Sequence, residues 1–261
     1  MYRIYLSVAL IGLLFVSVEI SDALMEDIVA AWTFDEGGGT IVRDISGNGN
    51  DGEVQGNTVT WVAGKFGSKA LHITDADGFV QVPFSDSLNV YNQTDFSLAT
   101  WVAITDDPAS AEHILFHQFD LNGTGRVWLA SDAAAPNDMF SYFAGQRTSS
   151  GFTLTPNVWT HVAIVVTELG DTDNVQIYIN GEPSGTAGQL SIENCEGDFL
   201  IGRHKNGSNP WLGDIDDMVI ARKAFSEEDL KDLMNNGLAQ VLAVQPSGKL
   251  STAWGIIKTG F

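Results

Sequence analysis

Carboxylates and glycines stand directly beside apolar runs at both ends of this 261-residue chain. Asp35-Glu36-Gly37-Gly38-Gly39 follows Trp32-Thr33-Phe34, then comes Asp44-Ile45-Ser46-Gly47-Asn48-Gly49-Asn50-Asp51-Gly52, and Gly213-Asp214-Ile215-Asp216-Asp217 lies toward the other end. A calcium ion takes roughly six to eight oxygens, some of them carbonyls from loops that glycine lets bend tightly. Asp44, Asn48, Asn50 and Asp216 could supply them, with Asp35 as a further ligand. A structural Ca2+ so held would clamp the first and last strands of one domain, and its removal would lower the thermal midpoint. Side chains alternate across a strand, so Asp216 is assigned to the ion and Asp217 to a turn or a partner. The competing explanation is turn chemistry, because Asn-Gly and Asp-Gly favour positive φ without any metal.

A saccharide site pairs aromatic faces with amides, carboxylates and guanidinium groups that read hydroxyls. Tyr142 with Arg147, and the polar run Arg203-His204-Lys205-Asn206-Gly207-Ser208-Asn209, have that chemistry. Within this set Arg147, Arg203, His204, Asn206, Asn209 and Tyr142 are the candidate ligand-binding residues. Trp128 with Arg126 and His117 with Gln118 offer the same groups, but tryptophans within strands, as at Trp101, Trp128 and Trp159, more often fill a core. His161, mid-strand in Trp159-Thr160-His161-Val162-Ala163, reads as a buried, hydrogen-bonded histidine and not a catalytic base. No catalytic set is legible: there is no Ser-His-Asp elbow, zinc helix signature or phosphate-cradling glycine loop before a helix.

The elements that must position these residues are strands. Twelve short apolar or alternating runs, from Ile28–Phe34 to Ile215–Ala221, are separated by Gly, Asn, Asp and Pro with no helical periodicity between them, which predicts two packed antiparallel sheets. Asn180-Gly181 after an alternating run predicts a type I′ hairpin. One helix is expected, opened by the capping box Ser226-Glu227-Glu228-Asp229 and ended by Gly237 in a left-handed conformation.

Arg3, the apolar stretch Ile4 to Val18 and Ser21-Asp22-Ala23 read as a signal peptide cleaved after Ala23, leaving a domain over 24–237 and a tail over 238–261. The chain is then expected to be secreted, extracellular or on the cell surface, with the periplasm as another destination, and without membrane insertion once the signal is removed. Its 13 basic and 33 acidic residues give a net charge of −20, and −19 once Arg3, Glu19 and Asp22 leave with the signal. That charge opposes nucleic acid, which demands basic patches, and anionic membrane surfaces. The one cysteine, Cys195, has no intramolecular partner and lies among acidic neighbours that disfavour a thiolate. Asn92, Asn122 and Asn206 fit the N-glycosylation pattern.

Seven pieces in order carry a family resemblance: Trp32-x-Phe34-Asp35-Glu36-Gly37, Asp44-x-Ser46-Gly47-Asn48-Gly49-Asn50, Gly64-Lys65-Phe66-Gly67-x-x-Ala70-Leu71, Phe96-Ser97-Leu98-Ala99-Thr100-Trp101, Trp159-Thr160-His161-Val162, Tyr178-Ile179-Asn180-Gly181 and Leu212-Gly213-Asp214-Ile215-Asp216-Asp217. Together they resemble LamG-like jelly-roll domains of the concanavalin A-like lectin and glucanase superfamily, from about Ile28 to Gly237. The resemblance implies an all-β, two-sheet antiparallel sandwich, calcium-stabilised, usually exported, and used to bind glycans or protein surfaces. It does not imply one activity, since the fold hosts lectins, glycosidases and structural modules. Glycosidases of this kind carry alternating carboxylates on one strand, and no strand here has that pattern. The expectation is therefore a secreted, non-catalytic module for an extracellular or cell-surface glycan or glycoprotein. The alternatives are a structural or protein-interaction module and, less favoured, a glycoside hydrolase.

Overall fold

The structure, a computed structural model, describes residues 26–89, 95–105, 112–119, 126–132, 138–143, 146–168, 173–190 and 195–243. The expected signal peptide, the Asn92 and Asn122 sequons and tail residues 244–261 lie outside the described residues. In chain order the first strands are β1 (Ile28–Trp32), β2 (Ile41–Val42), β3 (Gly52–Gln55), β4 (Val59–Val62), β5 (Ala70–Ile73) and β6 (Phe79–Val82). Next come β7 (Phe96–Ile104), β8 (Glu112–Phe119), β9 (Arg126–Asp132), β10 (Asp138–Phe143) and β11 (Gln146–Thr153). The last are β12 (Thr160–Glu168), β13 (Asp173–Ile179), β14 (Glu182–Leu190), β15 (Phe199–Ile201) and β16 (Gly213–Ala221). Two short helices follow, α1 (Glu227–Asn236) and α2 (Leu238–Ala243).

These strands form two antiparallel eight-stranded sheets, as expected for a jelly-roll sandwich. The first runs β14-β13-β12-β7-β16-β5-β4 with β1 also paired to β16, and the second runs β11-β10-β9-β8-β15-β6-β3-β2. Between them lies one apolar core that includes Trp32, Phe34, Phe116, Phe143, Phe199 and Trp211, and the cysteine Cys195 is buried in it. β7 and β16 are buried along almost their whole length because they are covered on both faces. A second cluster explains the outer cover: Phe225, Leu230, Leu233, Leu238 and Val241 pack on Ala31, Ala99, Ala163 and Ala221. Those four alanines let the helices lie close against the first sheet.

Two details depart from the sequence expectation. Gly237 ends α1 at φ 76 but with ψ 155, extended and not left-handed helical, and its N–H donates to the Leu233 carbonyl. A Cβ there would sit 2.8 Å from the Phe66 ring, so close approach demands glycine. The chain then continues as α2, whose Leu238, Val241 and Leu242 are buried, so the packed unit reaches Ala243 and has two helices, not one. The expected Asn180-Gly181 hairpin is present: φ is 51 and 79 at the two turn residues between β13 and β14, and the Asn180 Oδ1 also accepts the His161 N–H at 3.0 Å. Gly181→Ala should cost about 1 kcal/mol from the positive φ alone, read as a lower urea midpoint at unchanged m-value.

Candidate functional site

On the second sheet, register brings residues from eight strands into one continuous cross-strand row. Arg147, Tyr142, Trp128, His117, Leu200, Gln81, Glu53 and Ile41 are successive cross-strand partners. The chain neighbours Phe116, Phe199, Val80 and Val54 belong to or pack against the core, so alternation turns His117, Leu200, Gln81 and Glu53 to the outer face. Beside it runs an apolar row, Phe140, Ala130 and Ile114, with Tyr142 packed against it. Beyond that runs an acidic row in which Glu112, Asp132 and Asp138 stand opposite one another on β8, β9 and β10.

Arg147 ties these rows together. Its guanidinium lies over the Phe140 ring, 3.8 Å from the centroid, and donates through Nη1 to Asp132 Oδ2 at 2.7 Å, with Nη2 3.8 Å from Asp138 Oδ2. Asp138 also accepts from the Ser149 and Ser150 hydroxyls. A cation over an aromatic face with its fork on carboxylates is a preorganised plane, and the Arg147 side chain remains 36 % exposed.

The polar run 203–209 packs onto the same face. The His204 ring stacks on His117 at 4.3 Å, and the Lys205 N–H donates to His117 Nδ1 at 3.1 Å. Arg203 lies over Phe79, 3.6 Å from the ring centroid; burial lowers its pKa and Asp77 pulls it back up. Asn209, at φ 52, donates from Nδ2 to Glu112 Oε2 at 3.1 Å. Exposed Asn206 accepts from the Ser208 N–H and hydroxyl through Oδ1, which shapes the turn. All six sequence candidates for ligand binding thus belong to one sheet face or to the loop packed on it. Sequence reasoning missed Phe140 and the acidic row, because Asp132, Asp138 and Glu112 are remote in sequence and only strand register aligns them. Gln118, paired with His117 in the sequence reading, turns inward instead and donates to the Gly197 carbonyl at 3.1 Å.

The five expected calcium ligands fall into two groups with no partner in common. Asp44 accepts the Ala31 and Ser46 N–H groups through Oδ1 and the Asn50 N–H through Oδ2, all at 2.9 Å. Asn48 donates to the Ile28 and Val29 carbonyls, and Asn50 donates to Val29. The 44–50 loop therefore completes the hydrogen bonding of β1 with side chains where β16 does not reach. Asp216, in the other group, accepts Lys65 and Phe66 N–H through Oδ2, at 2.7 and 3.1 Å, and Asp217 N–H through Oδ1. A bulge between Asp216 and Val219 sets Asp217 at φ 47, from where it accepts the Leu238 N–H at 2.8 Å. Asp35 accepts Ser68 and Lys69 N–H and shares with Phe66, Asp217, Asn236 and Gly237 a pocket of about 240 Å3. Among the described residues no three His, Cys, Asp or Glu side chains converge to hold a metal. Asp44, Asp216 and Asp35 already accept backbone N–H groups, and Asn50 Oδ1 accepts the Ser85 and Ser87 hydroxyls; the melts described below test the expected Ca2+.

Burial, then the neighbouring Asp217 carboxylate, pushes Asp216 up to about 8 against three backbone N–H donors that pull it down. Burial also raises Asp217 to about 6, with the Leu238 N–H opposing it and Asp35 adding to the rise. His161 is buried beside Trp101, ring centroids 5.3 Å apart, and desolvation lowers it to about 3. Contrary to the sequence reading its Nδ1 has no hydrogen-bond partner, so the ring is neutral but not fully satisfied.

The two packed sheets and their strand order define a jelly-roll sandwich. The Laminin_G_3 family, of the concanavalin A-like lectin/glucanases superfamily, matches residues 74–231, and the chain belongs to it. No curated protein matches the sequence. Similar solved structures include domain 4 of an extracellular GH43 arabinanase from Geobacillus stearothermophilus, in complex with arabinotriose. It is 21 % identical at TM-score 0.58, over 80 % of this chain and 98 % of that one. The binding domain of botulinum neurotoxin DC, in complex with rat synaptotagmin II, is 18 % identical at TM-score 0.63, over 82 % of this chain and 52 % of that one. Trypanosoma rangeli sialidase in complex with sialic acid is 14 % identical at TM-score 0.62, over 84 % of this chain but only 34 % of that one. At these identities the likeness is one of fold.

Two outcomes are expected for the acidic clusters. Because the folded pKa values of Asp216 and Asp217 lie above the unfolded 3.8, the native state binds more protons, so their contribution to stability is lost as pH rises from about 4 to about 8. Asp216→Asn should flatten that slope relative to the parent in urea melts across this range. Because these carboxylates already accept backbone N–H groups, melts in excess chelator and in excess calcium should coincide; a midpoint raised by calcium alone would place the expected ion at one of the clusters.

Proposed function

We propose that this chain is an exported, non-catalytic recognition module that binds carbohydrate on the outer face of its second sheet. The observation that carries the reading is the cross-strand row ending in Tyr142 and Arg147, where an exposed guanidinium rests on Phe140 and on paired carboxylates. Such a surface offers the part-exposed Tyr142 ring and the Arg147 plane to sugar C–H patches, and both donors and acceptors to hydroxyls. The covered outer face of the first sheet offers less, since helices α1 and α2 pack there. A neighbour of the same fold and nearly the same extent was solved with arabinotriose, which supports an oligosaccharide as the ligand class. Export rests on the signal-like N-terminus, and no helix among the described residues is long and apolar enough to cross a membrane.

A hydrolase reading has one observation in its favour, the opposition of Asp132 and Asp138 in register. It is weaker because a glycosidase needs one carboxylic acid to protonate the leaving group. Here both aspartates face the same guanidinium, and Asp138 also holds two hydroxyls. Titration of a neutral oligosaccharide panel by calorimetry separates the possibilities. Arg147→Ala and Tyr142→Ala should each weaken binding about tenfold, roughly 1.4 kcal/mol, with melting midpoints close to the parent. Unchanged affinity in both would refute this placement. Polysaccharide turnover lost in Asp132→Asn would make the chain an enzyme, and protein capture that free sugar cannot compete would favour a protein-interaction module.

A further inference from the structure

We infer that the face selects uncharged saccharides and rejects those bearing uronate, sulfate or sialate groups; this deepens the carbohydrate reading above and rests on it. An anionic sugar is best held by a guanidinium whose fork is open to a carboxylate or sulfate, because the bidentate pair supplies charge and geometry together. Arg147, the exposed cation of the row, is already engaged by this chain. Nη1 is on Asp132 at 2.7 Å, Nη2 faces Asp138 at 3.8 Å, and the plane is seated on Phe140. To use that fork, a ligand anion must displace Asp132 and then lie beside the acidic row of Glu112, Asp132 and Asp138. Arg203, a second guanidinium of this face among the described side chains, is likewise seated on a ring, that of Phe79.

Further along the face, Asp198 accepts from the Gln81 side chain at 2.6 Å and the Phe84 N–H at 2.9 Å, and Glu53 is exposed in the same cross-strand row as Arg147. Like charges about 4 Å apart repel by about 1 kcal/mol in water and by more where water is excluded. Sugar hydroxyls meet the opposite situation. They donate to the remaining lone pairs of the carboxylates and accept from guanidinium N–H groups, so the paired site is complementary to a polyol. The chain's net charge of −20 acts in the same direction at long range.

The test measures calorimetric affinity for neutral trisaccharides (arabinotriose, xylotriose, cellotriose) against trigalacturonate and sialyllactose. Binding of at least one neutral probe, with both anionic probes at least tenfold weaker, is expected. Raising NaCl from about 0.05 to about 0.5 M should narrow that gap by strengthening the anionic probes, since screening relieves the repulsion. The double variant Asp132→Asn with Asp138→Asn releases Arg147, and it should bind trigalacturonate and sialyllactose at least several-fold more tightly than the parent does, whatever it loses on the neutral probes. Anionic probes that bind the parent as tightly as neutral ones overturn the selectivity but leave the carbohydrate reading standing. If no probe of either class binds, the carbohydrate reading itself fails. The salt titration of the parent decides the matter even where the double variant does not fold.

Discussion

Aspartates that accept backbone N–H groups, buried at Asp216 and Asp217 and half-buried at Asp44, hold this sandwich together at the points where its strands leave off. Asp44 binds the amide of Ala31 on β1 and two amides of its own loop. Asp216 binds the amides of Lys65 and Phe66, some 150 residues away in sequence, and Asp217 binds the first amide of α2. A buried amide left unmatched costs about 1 to 3 kcal/mol, a cost these oxygens remove. In a chain with one cysteine, these clamps join segments that no intramolecular disulfide can link. They also account for why Asp and Asn recur beside glycine in both terminal motifs: tight turns aim several N–H groups at one carboxylate.

The clamps divide the molecule into a structural side and an open one. The first sheet is covered by α1, α2 and the 64–67 loop, in which Lys65 lies over Trp101, 4.4 Å from the ring centroid, and Asp216 fixes the backbone. Trp101 is consequently buried on an outer face, beneath a loop, not in the central core. The second sheet carries no helix on its outer face among the described residues, and its polar, aromatic and acidic rows are arranged by register alone. The two sheets also meet at one edge, where Ser184 of β14 donates to the Ser150 carbonyl of β11 at 3.0 Å and glycine at 185 allows the backbones to approach.

Much of the fold was legible from local chemistry, and much of the site was not. The twelve strands anticipated from apolar runs are present because each buries at least one face, and Asn180-Gly181 and the Ser226 capping box act locally. Strands β2, β3, β11 and β14 escaped notice. They are short or lie at sheet edges, and runs such as Gln146–Thr153 and Glu182–Leu190, rich in Ser, Gly and Thr, bury too little to show an apolar period. The acidic motifs were recognised, but their oxygens were expected to face a cation. Sequence shows which oxygens are available and cannot show whether an amide or an ion meets them. Arg147 and Tyr142 were found by type, whereas Phe140 and the Glu112, Asp132 and Asp138 row became visible only once β8, β9 and β10 were aligned.

The division into a clamped side and a recognising side can be tested in a single hydrogen-exchange experiment, with and without a saturating neutral oligosaccharide. Without ligand, the amides of Ala31, Lys65, Phe66 and Leu238 should exchange slowly. On binding, added protection should be confined to β8–β11 and the 203–209 loop. Fast exchange at those four amides, or ligand protection centred on α1, α2 and the pocket between Asp35 and Asp217, would contradict it.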